Sequence, residues 1–529
     1  MEKEYNRRHG GSSMRRSGGT IMNTTIRNGF ASDDDRSRWL LFAGALILGG
    51  LHQLLFYGVV PGISVPIFLL LLNGYFYIFA RDRLRSLDSA GLLLTGASLL
   101  LALTYALFDN PVFFTLNLLA LPSLVAWQFT YLLSDRRRSW HDPRLIPDAL
   151  GHVLYQTVVN VPQIWTPFRR SKKVEDEEDG PDHTAGKQIL YGLLFAAPVL
   201  VIVCILLLSA DGVLRAMLGQ IPDWFGQLSL GSAPTRLIWA VGIGGFFLTY
   251  LLGFRTPRRV PPVQGPAMAE PIEPMRYLPT LMTITLMTTI NLVYVLFVAL
   301  QFSYLFGAWQ GVLPQSSTYA EYTHSGFGEL IGVTLINFLL LLVGLYATDP
   351  GQGKARTTLH ALLGLLVFCS AAMLGSAFSR LLLYEEAYGY TRLRFLVHAF
   401  MIFLFLLLLL FALCIRFRRL PLGRWMIVLG VCAYLAVNYA CMDRVITVLN
   451  LERQEADEEP ADLYYLMSLS SDAVPVLIQY GRAQGGELDL LLREKVQQDD
   501  ALSAAWQSWN VSDWRANQLL KEYGAHPIE

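Results

Sequence analysis

Charge is scarce in this sequence: Asp, Glu, Lys and Arg make up 16% of its 529 residues, against 53% that are hydrophobic. A soluble domain devotes about a quarter of its residues to charge, so composition alone excludes a soluble globular fold. Excess charge of either sign is absent too, since 42 Lys and Arg balance 42 Asp and Glu. That balance removes the electrostatic ground for a nucleic-acid partner. The five cysteines, Cys204, Cys369, Cys414, Cys432 and Cys441, all lie in apolar stretches without paired spacing, which speaks against a disulfide framework or a zinc site. His52 has no second ligand at a useful spacing. There is no P-loop, H-E-x-x-H, G-x-S-x-G or G-x-G-x-x-G, the commonest catalytic and cofactor signatures. No metal, cofactor or catalytic residue is therefore expected.

What the chain does have is long apolar runs. A bilayer core needs about 20 mostly apolar residues per helix, with every backbone polar group paired inside it. By that measure the candidate spans are 39–57, 62–80, 90–108, 111–133, 188–209, 236–254, 279–306, 326–347, 359–383, 392–415 and 425–446. The fold class expected is all-α: a polytopic helical membrane protein of about eleven transmembrane helices, with a small helical C-terminal domain. No small-residue cleavage site ends the first run, so it is read as a retained helix. Only Asp109 and Asn110 join the third and fourth spans, which forces a tight hairpin.

Lys and Arg collect in alternate loops, and cytoplasmic loops carry that excess. The basic segments are the tail with Arg7, Arg8, Arg15, Arg16, Arg27, Arg36 and Arg38, the loops at Arg81 to Arg85, Arg136 to Lys173, Arg255 to Arg259 and Lys354 to Arg356, and the loop Arg416 to Arg424. The alternation places the amino terminus in the cytoplasm and the carboxyl terminus outside. The turn after the ninth span, flanked by Arg380, Arg392 and Arg394, is the exception, and parity keeps it outside.

Five segments follow: a basic tail 1–38, a four-helix membrane unit 39–134, a cytoplasmic loop 135–187, a seven-helix unit 188–446, and an acidic external helical domain 447–529. Within the loop, 145–168 mixes Leu, Ile, Val and Trp with polar residues, as in pieces lying on a leaflet, and Arg169 to Lys173 is placed to meet anionic lipid. Residues 210–230, with Trp224 and Phe225, are expected at the opposite interface. The final domain, with Ser512 expected to open its last helix, is near the size at which a core is marginal, so it is expected to dock on the spans.

Ionisable residues inside spans are costly and point to function by default. Here they gather near the expected outer ends: Glu329, Arg380, His398 and Asp443, with Tyr384, Glu385, Tyr388, Arg392 and Arg394 around the ninth turn and Tyr319, Glu321 and Tyr322 in an earlier one. Two readings stand. One is a binding site for a lipid head group or small polar ligand, anchored by Arg380 and Arg392. The other is pairing of helix ends at the headgroup layer. Asn73, Asn117, Asn291, Asn337 and Asn438 are expected to bond between helices, and Gly328 with Gly332 to mark a close helix contact.

Three stretches together carry a family pattern. Tyr319-Ala320-Glu321-Tyr322 leads to Phe327 and Glu329; Arg380 leads through Tyr384, Glu385, Glu386 and Tyr388 to Arg392 and Arg394; and Asn438 and Asp443 lead through Asn450, Glu452 and Arg453 to Asp462, Asp472 and Pro475. With these the chain resembles an uncharacterised bacterial family of multi-pass membrane proteins catalogued as a domain of unknown function (4173). The resemblance covers roughly the second half of the chain, and implies a bacterial cell membrane without implying an activity. Ala440-Cys441-Met442-Asp443 stands where the family pattern has Asn-Pro-Asp.

The function expected is a non-enzymatic membrane protein with an external polar binding or sensing site. An enzyme acting on a lipid-linked or envelope substrate, with Glu329, Glu385, Glu386 or Asp443 as acid or base, is the alternative. A secondary transporter ranks lower, for want of an internal repeat. The partner expected is the lipid bilayer; oligomeric state stays open.

Overall fold

The computed structural model describes residues 24–84, 88–135, 138–168, 233–257, 278–309, 327–349, 352–417, 420–457, 462–484, 486–499 and 505–525. Among these residues there is no strand, only an isolated bridge between Leu278 and Thr348. The fold is all-helical, and eight of its helices are long and apolar enough to cross a membrane. Two shorter apolar helices cover Ser64–Phe79 and Gly332–Ala347. Ten of the expected spans thus coincide with apolar helices, while 188–209 lies outside the described residues, as do 210–230, Arg169 to Lys173 and the Tyr319 to Tyr322 turn. The described helices do not by themselves reach a count of eleven.

The helices are α1 (Thr24–Phe56), α2 (Ser64–Phe79), α3 (Ser89–Leu107), α4 (Pro111–Leu133), α5 (Leu145–Gly151), α6 (Ala233–Arg255), α7 (Thr280–Trp309) and α8 (Phe327–Leu342). They continue as α9 (Gly353–Tyr388), α10 (Arg392–Arg416), α11 (Leu422–Tyr439), α12 (Met442–Asp457), α13 (Leu463–Met467), α14 (Val474–Gln484), α15 (Glu487–Asp499) and α16 (Val511–Ala525).

The chain forms two compact units. One comprises Met1–Gly50 and Thr157–Leu252. In it α1 and α6 touch backbone to backbone, because a Cβ on Gly49 would lie 2.1 Å from the Ala240 carbonyl oxygen and one on Gly244 would lie 2.7 Å from that of Ala45. Small residues permit such an approach in lipid, where packing rather than the hydrophobic effect joins helices. At the close contact expected for Gly328 and Gly332, the Gly332 Cβ position meets nothing within 4 Å among the described residues, and the surroundings of Gly328 lie outside them.

The other unit holds Leu51–Gln156 and Gly253–Glu529. Its helices pack in series: α7 on α9, α9 on α10, α10 on α11, α11 on α3, and α3 against α2 and α4. The five asparagines bond as the sequence implies. Asn117 donates to Asn438 at 2.7 Å and to Thr104 at 3.1 Å, and accepts from Tyr434 at 2.6 Å. Asn73 accepts from Gln128, Asn291 donates to the Leu362 carbonyl, and Asn337 joins Tyr294 to Ser370. Each such bond is worth about 0.6 to 2 kcal/mol in a membrane.

The C-terminal helices α14, α15 and α16 pack on one another around Leu477, Ile478, Leu488, Leu492 and Leu520, and this core continues into Met442 and Ile446 of α12 and Phe113 of α4. The domain is therefore docked on the helices that precede it, the expected answer to a small core. Gly62 meets the same domain: its Cβ position lies 2.5 Å from the Ser508 carbonyl carbon, and the Ile63 amide donates to the Trp509 carbonyl at 2.9 Å.

Candidate functional site

The last apolar helix stops earlier than hydropathy implies. α11 ends at Tyr439, Cys441 takes a left-handed φ of 48°, and α12 starts at Met442. Such a φ is uncommon outside glycine, and it turns the chain into a new helix. Asp443 and Arg444 therefore do not close the eleventh span; they belong to the first turn of the helix after it.

That break delivers Asp443, fully buried, to Arg392 at the start of α10. The guanidinium grips the carboxylate with two bonds, Nε to Oδ1 at 2.8 Å and Nη2 to Oδ2 at 2.7 Å. Oδ2 also accepts the Ser470 amide at 3.0 Å, and the Arg392 amide donates to the Tyr465 hydroxyl at 3.1 Å. Burial by itself would raise the Asp443 carboxyl, but the bonds from Arg392 and Ser470 outweigh it and hold it below the usual carboxylate range.

One layer away, the turn between α9 and α10 is held by α12. Asn450 accepts from the Tyr390 amide and donates to the Tyr390 carbonyl, both at 2.9 Å. Arg453 donates to the carbonyls of Glu386 at 2.7 Å and Ala387 at 3.1 Å, which are among the last four of α9 and lack partners within the helix. Arg394 donates to the carbonyls of Tyr388 and Gly389 and lies 4.3 Å above the Tyr384 ring, itself 4.8 Å from the Tyr388 ring. Gly389 is required here: its φ is 74°, and a Cβ would lie 2.6 Å from Asn450 Oδ1.

At the hairpin tip, Asp109 Oδ2 accepts the Ser471 amide at 3.5 Å. Ser512 does not cap α16; its hydroxyl donates to Asp472 Oδ1 at 2.6 Å, while Asn510 Oδ1 takes the Asp513 amide at 2.7 Å in the capping role. Burial pushes the Asp109 carboxyl up to about 6, the charge of Asp513 adding to it and the Ser471 amide opposing.

Glu385 is fully buried, with Oε2 3.2 Å from Nδ1 of His398 on α10. Arg380 lies partly buried in α9 five residues before it. Glu329 lies in α8, and its side chain is outside the described ones. Of the residues singled out from sequence, the structure thus joins Arg392 to Asp443, Tyr384 and Tyr388 to Arg394, and Glu385 to His398. Asp109, Asn450, Arg453, Tyr465, Ser470 and Asp472 complete the network. Asn450, Arg453 and Asp472 stood in the resemblance, and Tyr465 and Ser470 lie between Asp462 and Asp472 in the same stretch; Asp109 carries no local signal. Among the described residues no group of three or more His, Cys, Asp or Glu is placed to hold a metal.

The geometry defines an all-helical protein, eight of whose described helices are long and apolar enough to cross a membrane, with the C-terminal helices stitched to the ends of those before them. The family whose sequence model matches residues 95–480 is described as a domain of unknown function (DUF4153). The match spans more than half of the chain, and the chain belongs to that family. Its number is 4153 where the resemblance pointed to 4173, and the match begins in α3 instead of the second half. No curated protein and no solved structure matches the chain.

Proposed function

We propose that the chain is a non-enzymatic multi-pass protein of a bacterial cell membrane, with about eleven spans, an inner amino terminus and an outer carboxyl terminus. In this reading the C-terminal domain covers a polar binding or sensing face formed by the ends of α9, α10 and α12. The observation that carries it is the fully buried Asp443 carboxylate, gripped by Arg392 and also accepting the Ser470 amide. A change at this face passes directly between the apolar helices and the domain over them.

Pairing also speaks against catalysis at these charges. A general acid or base must reach its substrate, whereas Arg392, Asp443 and Arg394 are spent on one another, on backbone or on an aromatic ring. The exposed edge of the face is Tyr388 and Glu386, where a lipid head group or small polar molecule has room to approach. The test is sided labelling of Tyr388→Cys and Trp514→Cys in intact cells. Labelling by an impermeant reagent from outside supports the reading; reaction from the inner side alone sinks it.

A further inference from the structure

Residues 505–509, just ahead of α16, close the ends of two apolar helices. The Gln507 side chain donates from Nε2 to the Leu54 carbonyl at 3.2 Å. That carbonyl is one of the last four of α1, for which a helix has no amides left. The Trp509 carbonyl accepts the amide of Ile63, the residue before α2, at 2.9 Å; the first amides of a helix likewise lack internal acceptors. Gly62 lets the two backbones meet, since a Cβ there would stand 2.5 Å from the Ser508 carbonyl carbon and 2.8 Å from the Trp509 carbonyl oxygen. The segment is thus fixed at the level where α1 ends and α2 begins.

Large apolar side chains stand exposed at this joint. Trp506 is 56% exposed, Trp509 39%, and Val60, in the turn between α1 and α2, 64%. Scattered exposed apolar residues need no explanation, whereas grouped ones mark a surface that something covers. Charge is missing as well: 57–63 and 505–511 contain no Asp, Glu, Lys or Arg, so the joint offers nothing to a charged protein surface. An indole has a broad apolar face and a single N–H donor. That combination suits the boundary where acyl chains give way to head groups, and tryptophan collects there. α1 is among the helices long and apolar enough to cross a membrane, so its end marks that boundary.

We propose that Trp506 and Trp509 are a lipid anchor for the C-terminal domain: their rings, with Val60, lie in the headgroup and upper acyl layer of the leaflet in which α1 ends and α2 begins. The occupant of the surface is the bilayer, and not a second copy or another protein, because hydrogen bonds to two helix ends set the depth of the joint.

The domain is then fastened in two ways. Its apolar core holds it to Phe113, Met442 and Ile446, and the segment before α16 holds it to lipid. The anchor leaves the backbone bonds of the joint untouched, since only side chains enter the leaflet. The inference rests on the proposed reading of α1 and α2 as spans, and is indifferent to which leaflet they end in.

The test is fluorine NMR of the full-length protein, labelled with 5-fluorotryptophan, in nanodiscs of phosphatidylcholine and phosphatidylglycerol. Trp506→Phe and Trp509→Phe assign the two signals, each by the loss of one resonance. Both signals should lose more intensity to a lipid carrying a nitroxide near its head group than to a gadolinium chelate in water. Intensity lost to the aqueous chelate alone overturns the proposal, and so does protection from both agents, which would mean that protein covers the rings. Should a phenylalanine variant not fold, Val60→Trp adds a signal instead of removing one and reads the same layer by the same comparison. The two readings fail separately: sided labelling that put the domain inside would leave a lipid-facing result standing, and rings that face water would leave the sidedness untouched.

Discussion

Arg392 and Asp443, 51 residues apart, meet through two parallel hydrogen bonds of 2.8 and 2.7 Å, one side chain a quarter exposed and the other fully buried. Bidentate geometry of this kind stabilises most when no other cation can replace the guanidinium. Removing only the cation leaves a buried, unpaired carboxylate, which costs more than the pair contributes. Arg392→Ala should therefore destabilise the protein by about 3 kcal/mol, seen as a lower unfolding midpoint in detergent. Arg392→Met with Asp443→Leu together should recover most of that loss, and a double variant as unstable as the single one would contradict this account.

Gly389 sits where only glycine avoids both a left-handed penalty and a collision with Asn450 Oδ1 at 2.6 Å. Gly389→Ala should cost about 1 to 2 kcal/mol for the backbone alone, and it should push Asn450 off the Tyr390 backbone. Asn450→Ala breaks the same two bonds without touching the turn's φ. Both variants should speed amide exchange at Tyr390, and the glycine variant by more. Equal protection in all three proteins would show that the turn is held by something other than α12.

The apolar helices are legible from sequence because hydropathy is local: lipid demands about 20 apolar residues in a row, and each such run within the described residues became a helix. The interhelical asparagines are legible for a similar reason, since a polar amide in hydrocarbon has few other partners. The site was only half legible. Hydropathy carries the last span through to Ile446 because nothing in Ala440-Cys441-Met442 announces a break; the break shows only in the fold, as the positive φ of Cys441. Asp109 and Ser471 meet across 362 residues, and no spacing rule connects them. Arg453 acts on carbonyls, which every residue has, so its partners cannot be named before the fold is known.

Ile146, Leu150 and Leu154 follow one another at four-residue steps and are all exposed, at 55%, 58% and 45%. The linker that leads into the segment is tied to α4 by Trp127, which donates to the Trp140 carbonyl, and to the segment by Arg138 with Asp148 at 2.7 Å. An apolar stripe beside the end of a span is expected to lie in the headgroup boundary. Tryptophan introduced as Leu150→Trp should be quenched by brominated lipid in vesicles, and more so than one placed at Gln156. Quenching no stronger at Leu150→Trp than at Gln156→Trp would remove the segment from the membrane surface.

Asp109 gives the docking of the C-terminal domain a pH dependence whose sign is fixed. Its carboxyl is pushed up to about 6 in the folded protein, first by burial and then by the charge of Asp513, against an ordinary value near 3.8. A raised carboxyl means that the folded state binds the proton more tightly than the unfolded one, so stability is greatest below the ordinary value and falls as pH rises to about 6. Asp443 works the other way, being held low, but its contribution is lost only below the ordinary carboxylate range and does not oppose Asp109 between pH 4 and 6. The domain should thus be bound more tightly at pH 5 than at pH 7.5, by on the order of 1 to 2 kcal/mol once solvent screening is allowed for. Hydrogen exchange in α16 measures this directly. Asp109→Asn removes the ionisable group while keeping an acceptor for the Ser471 amide, so it should abolish the slope and leave the pH 7.5 value close to that of wild type at pH 5. A variant with the same slope as wild type would assign the titration to Asp472 instead, whose carboxyl burial also raises.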